Sequence, residues 1–344
     1  MNKKKFRREP LTDTQLLMAI AISVFVGMYL MAMLLLRGGF LHPQQMFDML
    51  NDNASLIIVS CGLTIVMIGG GIDISVGAVT SLVVMSCVLY LNKGGNLVVA
   101  ILLALGIGLL FGLIQGYLIS YLEIQPFIVT LAGMFFARGF TTILSVNPQK
   151  VDHEAFAKLR DSKIVIPWLG YTANNGNLVP ARVELGVVVA LVCVIAIFLL
   201  LKFHKLGRGF YAIGGNQTSA LMLGINVKRT RFLSYVICGL LSGISGFVFM
   251  MHTGAANATN AAGMEMNAIA SSIIGGTLLT GGVGNVVGTF FGTLTLTTIK
   301  KIVVSSGLND PWWQSITTGG ILCFFILLQS VVLAIRARAR KKKA

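Results

Sequence analysis

Charge is scarce in this 344-residue chain: Asp, Glu, Lys and Arg together make up 11% of it. Soluble domains carry about 25% charged residues, so a water-soluble globular class is excluded. The four histidines (His42, His153, His204, His252) lie dispersed at loops or ends and make neither a metal set nor a triad. The five cysteines (Cys61, Cys87, Cys193, Cys238, Cys323) fall inside apolar runs without CxxC spacing, so they read as small packing residues. No phosphate-cradling GxxxxGKS or GxxxxGKT loop occurs, so the chain has no nucleotide loop of its own. Nothing in it reads as a catalytic centre.

What is abundant is apolar sequence, 55% of the residues. Residues 16–36 and 97–119 contain no charge at all, and about 20 such residues cross a hydrocarbon core about 30 Å thick. The expected class is an all-α polytopic membrane protein. Breaks at polar or Gly/Pro clusters predict spans at 14–36, 53–71, 75–91, 97–121, 126–146, 184–202, 231–251, 267–282, 285–304 and 313–335. The first apolar run is too long for the h-region of a signal peptide, about 7–15 residues.

The net charge of +15 is concentrated: five Lys/Arg lie in 1–10, six in 202–231 and six in 336–343. Such clusters mark cytoplasmic ends and loops facing lipid headgroups, and they argue against nucleic acid as a partner. The expected layout is a cytoplasmic tail (1–13), a transmembrane domain (14–335) and a basic cytoplasmic tail (336–344). Within it, 202–230 is a cytoplasmic loop and 147–183 an external one. The external loop mixes signs and carries Lys150, Arg160 and Trp168; it reads either as a docking surface or lid, or as a long connection folded on the membrane.

Many of the 39 glycines sit at small-xxx-small spacing, such as Gly108/Gly112 and Gly239/Gly243, where close backbone approach holds helices together in lipid. The stretch GGGIDISVG (69–77) is different. It puts irregular backbone and a carboxylate at membrane depth, where both are tolerated only against protein or a wet cavity. Asp73 and Ser75 are also N-cap types, so a structural cap is the rival reading to a translocation path. A second cluster, GGTLLTGGVGNVVG (275–288), echoes the first and raises the expectation of an internal repeat. The other acids near membrane depth, Glu123 and Glu265, are expected at span edges.

In the loop 202–230, residues 216–224 are expected to form one short helix, with Asn216 as N-cap and Gly224 at its end. Leu221, Met222 and Leu223 would give it an apolar face turned toward the cytoplasm, suited to docking into another protein.

Three stretches, GGGIDISVG, YAIGGNQTSALMLGIN (211–226) and IASSIIGGTLLTGGVGNVVGTFFGTL (269–294), carry a family resemblance. The chain resembles the permease subunits of bacterial sugar ABC importers of the ribose, galactose, xylose and arabinose type. With PFIVTLAGMFFARG (126–139), its wording is nearest to galactofuranose-type permeases. The resemblance implies a multi-pass inner-membrane subunit with cytoplasmic termini, paired with an identical or related second permease. It also implies a cytoplasmic ABC ATPase that binds ATP and Mg, and a periplasmic sugar-binding protein; this chain itself would hold no cofactor. Gly215, Asn216, Ala220 and Gly224 match the family's cytoplasmic coupling loop, with Leu221 on its displayed face. Gly70, Gly71, Asp73, Ser75 and Gly77 match its membrane motif. A sugar path lined by amides, hydroxyls and aromatics nominates Asn53, Phe127, Asn267 and Ser271. Two rivals are a proton-coupled sugar carrier using Asp73 and a membrane scaffold without transport.

Overall fold

The structure is a computed structural model describing residues 12–35, 40, 42–172, 178–308 and 310–341. Residues 1–11 and 342–344 of the two expected tails lie outside the described residues. The described residues form thirteen helices. Eight are long and apolar enough to cross a membrane: α1 (Asp13–Leu35), α2 (Pro43–Ile68), α4 (Leu97–Ser120), α5 (Pro126–Leu144), α7 (Leu185–Phe203), α10 (Val227–Thr253), α12 (Val286–Ser305) and α13 (Pro311–Lys341). Two shorter helices, the apolar α3 (Val76–Asn92) and α11 (Met264–Ile274), begin at breaks. The others are α6 (Glu154–Asp161), α8 (Lys205–Gly215) and α9 (Gln217–Met222).

Two expectations need correction. The span foreseen at 267–282 is helical only to Ile274, and 275–285 is irregular. Gly276, Gly281 and Gly282 adopt φ of +92°, +86° and +74°, a conformation a helix does not tolerate. The basic loop is not irregular ahead of 216–224: α8, burying Phe210 and Ile213, precedes α9, which falls within the expected range.

Local chemistry explains most helix ends. Asparagine side chains cap α4, α9, α10 and α12 through Asn96, Asn216, Asn226 and Asn285, each accepting a backbone N–H. Proline opens α2 and α5, where its missing N–H costs nothing.

One end of the bundle carries two small antiparallel pairings. Strand β1 (Gln149–Lys150) pairs with β4 (Ala255–Ala256), and β2 (Lys163–Thr172) with β3 (Leu178–Glu184). At this hairpin end Asn92 donates to the Lys150 carbonyl at 2.9 Å. His252 Nδ1 stands 2.8 Å from Glu184, and Lys301 stands 3.3 Å from Asp52. The opposite, basic end gathers the C-terminus of α2, the loop 275–285, and α8 and α9, with Lys228 paired to Glu123 at 2.9 Å.

Helix α2 is the axis of the core, buried without interruption from Ala54 to Ile68. Hydroxyls link it to its neighbours: Ser55 Oγ to Ser245 Oγ at 2.7 Å, and Thr64 Oγ1 to Thr289 Oγ1 at 2.7 Å. Helices α4 and α10 cross backbone to backbone. A Cβ on Gly112 would stand 2.7 Å from the Tyr235 carbonyl oxygen, and one on Gly243 would overlap Ala104. The outward faces of α1, α4, α5 and α13 are apolar and largely exposed, as a lipid-facing layer requires.

Candidate functional site

The first break starts where α2 ends. Gly70 takes φ +79°, its N–H and those of Gly69 and Gly71 closing on the carbonyls of Met67, Ile65 and Val66. The chain then runs non-helical to Ser75. Gly71 is pressed against the Tyr235 hydroxyl, which donates to the Ile72 carbonyl at 3.3 Å. Asp73, 3% exposed, accepts from the Ser75 N–H at 2.9 Å and from the Ser75 hydroxyl at 2.7 Å. Gln115 of α4 donates to the same hydroxyl at 2.9 Å, over Gly133 of α5. Ser75 stands at the N-cap position of α3, yet its side chain makes no capping bond; it is spent on Asp73 and Gln115.

The second break leads into α11. Ala261, a non-glycine residue at φ +54°, lies in the turns before Gly263. Arg138 of α5 holds this loop, donating to the Asn260 carbonyl at 2.6 Å and the Ala261 carbonyl at 3.0 Å. Glu265 lies 4.0 Å from the same guanidinium and accepts from the Gly263 N–H at 3.3 Å, while its Oε2 is buried without a hydrogen bond. A Cβ on Gly77 would stand 2.9 Å from the Ala261 carbonyl oxygen and 3.2 Å from the Glu265 nitrogen. The N-termini of two half-helices therefore meet inside the bundle. Transporters place substrate and coupling-ion sites at such discontinuities.

Sequence reasoning missed Arg138, Gln115 and Tyr235 here and expected Glu265 at a span edge; its side chain is 12% exposed, in the interior. Arg138 had a signal, being the one charge inside 126–146, and an intramembrane ionisable group is a site candidate by default. Gln115 had none beyond being polar in an apolar run.

Of the four nominated path residues, Asn267 and Ser271 lie one turn apart on α11, and Asn53 and Phe127 are on other helices. Asn53 binds back to the Met49 carbonyl at 2.8 Å on the hairpin-end half of α2. Phe127 is 53% exposed on the outside of α5. Ser271 is fully buried with an unpartnered hydroxyl. Asn267 accepts from Lys300 of α12 at 2.8 Å. Lys150, Arg160 and Trp168 lie in the hairpin end; Arg160 pairs with Asp161 at 2.9 Å, and Trp168 is 84% exposed.

At the basic end Asn216 Oδ1 accepts the Ser219 N–H at 2.9 Å, and Gly224 turns the chain at φ +77°. Ala220 is buried beneath α9, while Leu221, Met222 and Leu223 are 55%, 84% and 78% exposed. The C-terminus of α8 enters a contact made almost wholly of backbone. Gly282 N–H donates to the Ile68 carbonyl at 2.9 Å. A Cβ on Gly281 would stand 2.9 Å from Gly70 Cα and 3.0 Å from Gly214 Cα, and one on Gly214 would overlap the Ile68 carbonyl. Tyr211 of α8 donates to the Gly284 carbonyl at 2.8 Å. The segment with the exposed apolar helix thus touches the end of α2 and the loop after α11.

Residues 45–326, from the start of α2 into α13, match the family described as the branched-chain amino acid transport system / permease component. The chain belongs to that family. Among curated relatives, this permease is 37% identical over 311 residues to the inner membrane ABC transporter permease protein YjfF of Escherichia coli K12, covering 90% of each chain. It is 32% identical over 324 residues to the fructose import permease protein FruG of Bifidobacterium longum, covering 94% of this chain and 93% of the relative. With the ribose import permease protein RbsC of Escherichia coli K12 it shares 29% identity over 295 residues, 86% and 88% of the two chains. No solved structure matches it. The permease is a multi-pass membrane protein, and the matched range contains both breaks and the α8–α9 segment.

Proposed function

We propose that this permease is the membrane-spanning half of an ABC importer that carries a monosaccharide inward by alternating access. The observation that carries the reading is the apolar face of α9, displayed at the basic end and joined through Gly214 to the first break and to the 275–285 loop that follows α11. A partner that closes on α9 can thereby move the walls around Asp73 and Glu265. The basic end is assigned to the cytoplasm by its Lys and Arg, and with it both termini. A cytoplasmic ATPase with its ATP and Mg docks there, through Gly215, Asn216, Ala220, Leu221 and Gly224. A periplasmic binding protein docks on the hairpin end, where Lys150, Arg160 and Trp168 lie, and a second permease, identical or related, completes the path. The ribose and fructose permeases among the relatives support a sugar as cargo, and the wording of 126–139 favours a galactofuranose-like one.

The test is uptake and ATP hydrolysis in liposomes holding the permease, its ATPase and a ligand-loaded binding protein. Met222→Asp and Leu223→Asp, on side chains that touch water, are expected to release the ATPase and abolish stimulated hydrolysis while the isolated permease keeps its melting temperature. Unchanged ATPase binding would overturn the docking role of α9. A proton-coupled carrier would instead take up sugar without ATPase, driven by a pH gradient.

A further inference from the structure

A cavity of about 540 Å³ opens between α11, α12 and α13, with Gly263, Asn267, Lys300, Gln314 and Thr318 on its walls. Volumes of this size hold small organic ligands. Lys300 is the one charged residue among those lining it. It is half-buried within α12, and its ammonium donates to Asn267 Oδ1 at 2.8 Å. Among the described residues no carboxylate stands within 4.0 Å of it. Its neighbour Lys301 shows the ordinary solution, an ion pair with Asp52 at 3.3 Å.

A cation inside a membrane protein is costly unless it meets an opposite charge. An ammonium has three N–H donors, and Asn267 takes one of them. The start of α11 faces the same cavity through Gly263, but Glu265 in its first turn accepts the Gly263 N–H and offsets the helix's positive end, which leaves Lys300 as the charge the cavity presents. A cavity with an ammonium that no carboxylate meets and amide groups on two walls is complementary to a carboxylate.

We propose that Lys300, with Asn267 and Gln314, forms a carboxylate subsite, so that the cargo is a small solute bearing an acid group. Resting on the importer reading above, this takes the sugar to be a sugar acid in place of the neutral galactofuranose-like one that the wording of 126–139 favours. An amino acid would offer the same carboxylate, and the probes below separate the two.

The permease, in phosphatidylcholine nanodiscs and a Trp168→Phe background, is titrated with D-galacturonate, D-galactose and L-leucine. Fluorescence of Trp312 and Trp313, which precede Gln314 on α13, reports occupancy. D-galacturonate is expected to half-saturate at about a tenfold lower concentration than D-galactose, the scale of one charge-assisted hydrogen bond. Lys300→Met removes that preference, while Lys300→Arg and the neighbouring Lys301→Met keep it. Equal half-saturation by the two sugars, a preference that survives Lys300→Met, or no saturable response to either acid overturns the subsite; the first leaves the sugar reading standing. A Lys300-dependent response to L-leucine but not to D-galacturonate upholds the carboxylate subsite and overturns the sugar reading.

Discussion

Asp73 holds its loop with one oxygen. The two bonds it takes from Ser75, N–H and hydroxyl, both end on Oδ1, and an asparagine side chain offers the same acceptor. Asp73→Asn is therefore expected to retain most ATP-driven uptake, whereas Asp73→Ala strands two buried donors at about 1–3 kcal/mol each and is expected to lower uptake severely. Measuring transport in the two variants decides between a positional and a protonic role: loss in Asp73→Asn equal to that in Asp73→Ala would favour the carrier reading. Arg138 is positional in the same sense. Its two bonds to the Asn260 and Ala261 carbonyls hold a loop containing a non-glycine residue at positive φ, a conformation that persists only when its surroundings enforce it.

At the scale of elements, the junction of α8 with the end of α2 and the 275–285 loop makes neighbouring glycines differ. A Cβ at Gly214 would overlap the Ile68 carbonyl and come within 2.5 Å of the Gly282 nitrogen, while one at Gly215 meets nothing within 4 Å. Backbone cannot rotate out of the way as a side chain can, so Gly214→Ala must push α8 off the ends of α2 and the 275–285 loop. Gly214→Ala is expected to keep the ATPase bound, since α9 is untouched, but to cut uptake by about tenfold or more, the equivalent of about 1.4 kcal/mol of lost coupling. Gly215→Ala is expected to leave this junction intact, so that any loss of uptake it shows follows weaker ATPase binding. Vesicle uptake alongside ATPase co-purification reads both, and equal phenotypes would remove the junction from the coupling route. The α4–α10 crossing makes the contrasting case: Gly112→Leu has only backbone to displace, and its expected result is loss of the folded permease on heating or extraction.

The whole molecule is organised by its two ends. The hairpin end has mixed charges and exposed Trp168; the basic end displays Met222. With Cys323 replaced, the remaining cysteines are buried, so engineered thiols can report sidedness cleanly. Trp168→Cys is expected to react with a membrane-impermeant thiol reagent in intact cells, and Met222→Cys only after the membrane is opened. The reverse pattern would invert the assigned topology and exclude α9 as an ATPase contact. The exposed apolar faces of α5 and α13, with Phe135, Phe136, Ile143 and Leu327, are the surfaces available to lipid or to a second permease.

Sequence by itself determined that this chain lives in a membrane, where most of its long helices lie, and that the backbone is interrupted at 69–75. These are local properties: a long apolar run, a glycine at positive φ, an asparagine at a helix start. The same locality made the Asn216–Gly224 turn legible, and the motifs around it identified the family. What only the tertiary structure decided is which residues surround the breaks. In lipid an apolar run reads the same whether it faces acyl chains or a neighbouring helix, so hydropathy did not reveal that Phe127 points outward while Gln115 points in. Arg138, Glu265 and Gly77 come from three distant segments, and nothing in their spacing says that they meet. Gly214 and Gly215 are indistinguishable as letters; their difference is a carbonyl from Ile68, well over a hundred residues away in sequence. Lys300 and Lys301 are equally alike, and only the fold supplies a carboxylate to one and a cavity to the other.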